Sequence, residues 1–171
     1  MRVLIAVVGL MWCLPASAGE PSKDRAQVSN FSLMTAKGEQ FKFEQAKGKV
    51  VVLSFWASWC KPCIQELGFL QKLSKKLDGQ FTVLAISTDD SNTIAAVRKI
   101  VRQKKLKMPV LLDQQGSVMS EYNPRGDLPY SVYVDKQGRI ASTHQGFVSG
   151  DESKIESLIK TLIAEPATAK K

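Results

Sequence analysis

The sequence predicts an α/β fold in which a mixed central sheet carries helices on both faces. Three observations predict it. Residues 50–55 and 81–87 are short, nearly continuous apolar runs rich in β-branched side chains, the pattern of strands buried on both faces in parallel pairing. Residues 60–77 and 151–163 repeat apolar side chains at spacings of three and four, the pattern of helices that cover such strands. Alternating segments flank Lys37-Gly38 and the run from Asp135 to Gly138, which reads as two β-hairpins. The order is therefore hairpin, then β-α-β-α-β, then β-β-α, parallel where helices cross over and antiparallel at the terminal hairpin.

Residues 1–18 read as a secretory signal: Arg2, an uncharged stretch over 3–14, Pro15, and the small-residue pattern Ala16-Ser17-Ala18. The apolar stretch is short for a bilayer span, and Trp12 before Cys13 does not suit lipid attachment, so anchoring is the lesser alternative to cleavage. A polar leader follows over 19–26, and one domain is expected over 27–164. Phe31-Ser32-Leu33 and Phe41-Lys42-Phe43 form the first hairpin. The 50–55 strand runs directly into Trp56-Ala57-Ser58-Trp59-Cys60-Lys61-Pro62-Cys63. From Cys60 a helix buries Ile64, Leu67, Leu70, Leu73 and Leu77 and stops near Asp78-Gly79. After the 81–87 strand a second helix is expected over 91–105, with Asp89, Asp90 and Ser91 as candidate N-caps. Pro109 ends that connection, 110–112 is a short strand, and 118–122 adds a helical turn. Strands over 130–134 and 139–144 make the second hairpin. Asp151-Glu152 open a last helix that Glu165-Pro166 stop, leaving 165–171 as an expected loose tail.

With 171 residues, 44% hydrophobic and 23% charged, the chain is neither disordered, collagenous nor a multi-span membrane protein. Its formal net charge of +8 favours acidic surfaces. The cations between Arg98 and Lys107 share a stretch with Ile94, Val97, Ile100 and Val101 and no aromatics, so they read as a solvated helix face and not as a nucleic-acid footprint. A secreted chain belongs in a periplasmic or otherwise extracytoplasmic space, where disulfide chemistry is available.

Cleavage after Ala18 removes Cys13 and leaves Cys60 and Cys63, separated by Lys61-Pro62 at a strand-to-helix junction. At a helix N-terminus free N–H groups and the helix dipole favour the Cys60 thiolate, and Lys61 adds a cation. Pro62 suits the first helical turn, where its missing N–H costs nothing. Cys60 then attacks a disulfide and Cys63 resolves the mixed disulfide. Two blander readings stand beside this one. A structural staple closing about four residues removes only roughly 2 kcal/mol of unfolded-state entropy, against about 4.7 for a 100-residue loop. A zinc site wants four ligands, whereas the processed chain offers two thiols and His144, expected at the surface near a strand end.

The segment from Phe55 to Cys63, followed by Glu66, resembles the active-site segment of thioredoxin-like proteins, in particular the extracytoplasmic TlpA/ResA-type thiol-disulfide oxidoreductases. The resemblance extends over about 27–164 and implies a thioredoxin fold with an N-terminal hairpin and a central insertion. It implies that Pro129 is cis and faces the cysteines, and that Leu128 and Tyr130 frame a client groove with Trp59 and Pro62, hydrophobic packing being the alternative, above all for Tyr130. Glu66 takes the position of the family's acidic residue, a helical turn beyond Cys63, where it can accept a proton during resolution. Ser54 stands where cytoplasmic thioredoxins carry a buried aspartate, and Gly68 where the family usually has proline. The implied role is reduction of protein disulfides, for instance in apocytochrome c during cytochrome c biogenesis, with a membrane electron donor of thiol-reducing type and no cofactor beyond the Cys60–Cys63 pair. Two rivals are a copper-handling thioredoxin-like module, which would want a further histidine or methionine ligand, and a peroxiredoxin-like peroxidase, which would want a Pro/Thr-rich cysteine loop with an arginine.

Overall fold

The computed structural model describes residues 25–167; the expected signal over 1–18, most of the expected leader and the end of the tail lie outside the described residues. Strands β1 (Ser32–Thr35), β2 (Gln40–Lys42), β3 (Val50–Trp56), β4 (Phe81–Ser87), β5 (Val110–Leu112), β6 (Tyr130–Val134) and β7 (Ile140–Gln145) form one sheet, ordered β2-β1-β5-β4-β3-β6-β7. Pairing is parallel for β3 with β4 and β4 with β5, where helices α1 (Lys61–Lys76) and α2 (Ile94–Gln103) cross over. It is antiparallel at β1 with β2, β1 with β5, β3 with β6 and β6 with β7. Helices α3 (Ser117–Tyr122) and α4 (Asp151–Ala164) complete the fold.

Period-two alternation along β3 separates two layers. Val50 and Val52 meet Leu70 and Leu73 of α1 and Ile155, Ile159 and Leu162 of α4. Val51, Leu53 and Phe55 meet Val118 and Met119 of α3 and Phe43 on the other side. Val97 of α2 joins Trp56, Leu67 and both cysteines in a third cluster. Helices therefore lie on both faces, unequally, and the thinner side is closed by α3 together with a short 3-10 helix at Phe43–Ala46.

That 3-10 helix is absent from the sequence reading, which placed Phe43 in a strand; its ring is wholly buried and stacks on Phe31. Helix α2 begins later than the expected residue 91. Asp90 Oδ1 accepts the N–H groups of Asn92 and Thr93 and closes a turn ahead of α2, and Asp89 faces inward instead of capping. Near the two ends of the described residues, Arg25 donates to both Glu165 oxygens at 2.8 and 2.9 Å and to buried Asp135 at 3.1 Å. The Ala26 carbonyl accepts the Ile140 N–H at 2.8 Å, which ties the segment before β1 to β7.

Candidate active site

The parallel strands β3 and β4 end side by side, Trp56 opposite Ser87, and the chain leaves β3 through a loop over 57–60. Asp89 fastens that loop from beneath. It is 3% exposed, and its carboxylate accepts from the Ser58 N–H at 2.8 Å, from the Ser58 hydroxyl, and from the Ser87 hydroxyl at 2.8 Å. Sequence reasoning missed this residue's place because the three partners come from two strand ends.

Cys60 is the N-cap of α1, with its N–H on the Ala57 carbonyl, and Pro62 sits in the first helical turn as expected. Its Sγ accepts the Cys63 N–H at 3.3 Å and is disulfide-bonded to Cys63 Sγ. Cys63 is wholly buried, Cys60 nearly so, and Lys61 is exposed. Trp59 stands beside them 72% exposed.

Glu66 follows on the same buried side of α1 as Cys63 and is 0% exposed. Its two oxygens accept from the Ser131 hydroxyl at 2.8 Å and the Ser54 hydroxyl at 3.3 Å. Those serines are direct partners across β3 and β6. Burial pushes the Glu66 carboxyl up to about 7; the two serine hydroxyls pull against it, and the charge of Asp151 adds to the rise. Ser131 was not singled out from the sequence, since only the β3–β6 register brings it to Ser54. Wholly buried Tyr133 has no hydrogen-bond partner for its hydroxyl, and its phenol is pushed up, mainly by burial and then by the charges of Glu66 and Asp151.

The Leu128–Pro129 peptide is cis. Pro129 precedes Tyr130, the partner of Phe55, which puts it at the cysteine end of the sheet, and its carbonyl accepts the Gly146 N–H at 2.8 Å. Leu128 packs on the cluster that contains Cys60 and Cys63. Tyr130 is half-buried and takes a packing place. Its ring packs toward Phe55, centroids 6.4 Å apart, in the layer on the opposite face. Strand alternation imposes this, because Tyr130 and Ser131 must point to opposite sides. His144 is the next-to-last residue of β7, opposite Ser131 and partly exposed, in keeping with a strand-end place, and its Nε2 is 3.4 Å from Asp151 Oδ2, an ion-pair distance without hydrogen-bond alignment. Among the described residues no group of three or more His, Cys, Asp or Glu side chains converges in a metal-holding arrangement.

Comparison with known proteins agrees with this geometry. The Redoxin family matches residues 21–159. The chain belongs to the Redoxin family. Within this Redoxin chain the Cys60–Cys63 pair is that of a thiol-disulfide oxidoreductase, the activity named for its relatives. It is 35% identical over 127 residues to the thioredoxin-like protein YneN of Bacillus subtilis, covering 74% of each chain. It is 32% identical over 136 residues to the thiol-disulfide oxidoreductase ResA of Bacillus cereus, covering 77% of this chain and 75% of ResA. The crystal structure of a Chlorobium tepidum protein described as a thiol:disulfide interchange protein DsbE superposes with a TM-score of 0.74 at 27% identity, over 84% of this chain and all of that one. The Redoxin chain has the thioredoxin-like fold of these neighbours.

Proposed function

We propose that the chain reduces disulfides of extracytoplasmic proteins, with Cys60 attacking, Cys63 resolving and Glu66 accepting the proton of resolution. In the reduced protein the Cys60 thiolate attacks a client sulfur; a mixed disulfide forms and the client's other sulfur leaves as thiolate. Cys63 passes its thiol proton to the Glu66 carboxylate and attacks Cys60 Sγ. The second client thiolate leaves, two electrons have moved to the client, and the Cys60–Cys63 disulfide is restored. A membrane electron donor of thiol-reducing type returns the electrons, and apocytochrome c is the kind of client such a reductant serves.

One observation carries the exchange chemistry: a helix N-terminus aims an N–H at Cys60 Sγ while a wholly buried carboxyl poised near 7 lies one turn beyond Cys63; the reducing direction is drawn from the likeness to ResA. Lys61 adds a cation that favours the thiolate, and Trp59, Pro62, Leu128 and Pro129 frame the surface that receives the client chain. The apolar segment ending in Ala16-Ser17-Ala18 supports export, and an exported reductant needs a donor because its compartment is oxidising. Equilibration with defined thiol–disulfide buffers measures the reduction potential. The expected value lies in the thioredoxin range, roughly −270 mV; a value near roughly −120 mV, that of a strong oxidant, would reverse the assigned direction.

A further inference from the structure

The sheet face under α1 and α4 is apolar along most of its length, with Val50, Val52 and Tyr133 against Leu70, Leu73, Ile155 and Ile159. Toward its cysteine end a polar row crosses it. Ser54 of β3, Ser131 of β6 and His144 of β7 are direct partners across the three strands, so their side chains share that face. A carboxylate stands over each end of the row: Glu66 on the two serines, and Asp151, at the start of α4, with Oδ2 3.4 Å from His144 Nε2. Both carboxylates are shielded, Glu66 wholly and Asp151 at 7% exposure, whereas the His144 side chain is 30% exposed. The Asp151 carboxylate also accepts the Val148 N–H at 2.9 Å and has exposed Lys154 at 3.6 Å. Among the described residues three buried side-chain polar atoms lack a hydrogen-bond partner, and two of them, the Tyr133 hydroxyl and His144 Nε2, lie in this layer. Unpaired polar atoms are costly in apolar surroundings, so stability alone does not account for the row.

We infer that His144 and Asp151 are positioning residues for the exchange reaction: the charge state of their pair sets how readily buried Glu66 takes the proton of Cys63. This rests on the proton role assigned to Glu66 above. The titratable groups around Glu66 are Cys63 on α1, Tyr133 on β6, His144 on β7 and Asp151, with Lys154 beside it, on α4. Tyr133 stays neutral, since burial pushes its phenol up, and Cys63 is the proton donor. The Asp151 charge disfavours a second anion in the same layer and so raises Glu66. A protonated His144 offsets that charge from 3.4 Å, which eases ionisation of Glu66. Histidine is the side chain that changes charge near neutral pH, so the pair responds in the range where Glu66 titrates.

The test follows the side-chain carboxyl carbon of Glu66 by NMR across pH in the oxidised full chain, its signal assigned by loss in Glu66→Gln. Asp151→Asn keeps an acceptor for the Val148 N–H but removes the charge, and is expected to lower the Glu66 midpoint by about 0.5–1 pH unit. His144→Gln leaves the Asp151 charge without its imidazole and is expected to raise the midpoint by a similar amount. Opposite shifts from the two members of one contact are not what loosened packing gives. In the reduced proteins a chromogenic aromatic disulfide reports attack and resolution as two successive releases of coloured thiolate, and the pH profile of the second is expected to move with the Glu66 midpoint. Shifts of the same sign, no shift, or a resolution profile that stays in place while the midpoint moves would overturn the inference. Should Asp151→Asn not fold, His144→Gln decides alone: a raised midpoint with a raised profile supports the pair, and an unchanged one refutes it. A resolution rate indifferent to Glu66→Gln would instead refute the proton role of Glu66 itself, and absence of a second release in the parent would refute resolution by Cys63.

Discussion

At the scale of single residues, the arrangement separates attack from resolution. A Cys63→Ser variant keeps Cys60 at the helix N-terminus but removes the resolving sulfur, so it is expected to accumulate mixed disulfides visible as adducts on non-reducing gels and lost with reductant. Glu66 gives a pH signature. Its folded value of about 7 lies above that of an ordinary glutamate, so the protonated form stabilises the fold at low pH. That contribution is fully present below the ordinary value and is lost as pH rises through about 7. The stability of the parent relative to Glu66→Gln, measured by urea unfolding of the oxidised proteins, is expected to fall by roughly 3 kcal/mol between about pH 5 and about pH 8. Asp89→Ala would leave the Ser58 N–H and the Ser87 hydroxyl without partners, and a loss of about 1–3 kcal/mol in the same assay is expected. Glu66 was singled out by the family resemblance, and helical spacing placed it one turn beyond Cys63. Ser131 and the inward turn of Asp89 were not, since long-range register decides both.

At the scale of elements, legibility followed the strength of the local pattern. Strands β4, β5 and β6 occupy the expected residues, because an unbroken apolar run must be buried wherever it falls. The start of α2 was misplaced because Asp90 can satisfy either a helix terminus or a preceding turn, and the turn won. The 3-10 helix at Phe43–Ala46 has too few residues to show a period; tertiary burial of Phe43 specifies it. Helix α1 carries Gly68 in its interior, and open space surrounds the place of its absent Cβ. Gly68→Ala is expected to raise unfolding stability by about 0.5–1 kcal/mol in chemical denaturation, since alanine lowers the entropy lost on helix formation without meeting a neighbour.

At the scale of the whole molecule, the two faces of the sheet have different covers: α1, α2 and α4 serve one, and α3 with the N-terminal segment serves the other. The division of labour between ends was only partly visible in sequence. The resemblance located the cysteine end, whereas the clasp of Arg25 on Asp135 and Glu165 joins positions 110 and 140 residues apart. Asp135 is fully shielded and also paired with Arg139 at 2.9 Å, so Arg25→Ala is expected to cost about 1–3 kcal/mol in thermal or chemical unfolding. This clasp sits at the β6–β7 turn, the end of the sheet away from Cys60. Because the side chains of Arg25 and Glu165 touch, the span between them is almost a ring: a brief linker could join those two positions in a chain limited to that span, and new ends be opened at the Lys37-Gly38 turn. Such a circular permutant would keep every strand pairing described and leave the redox face unobstructed.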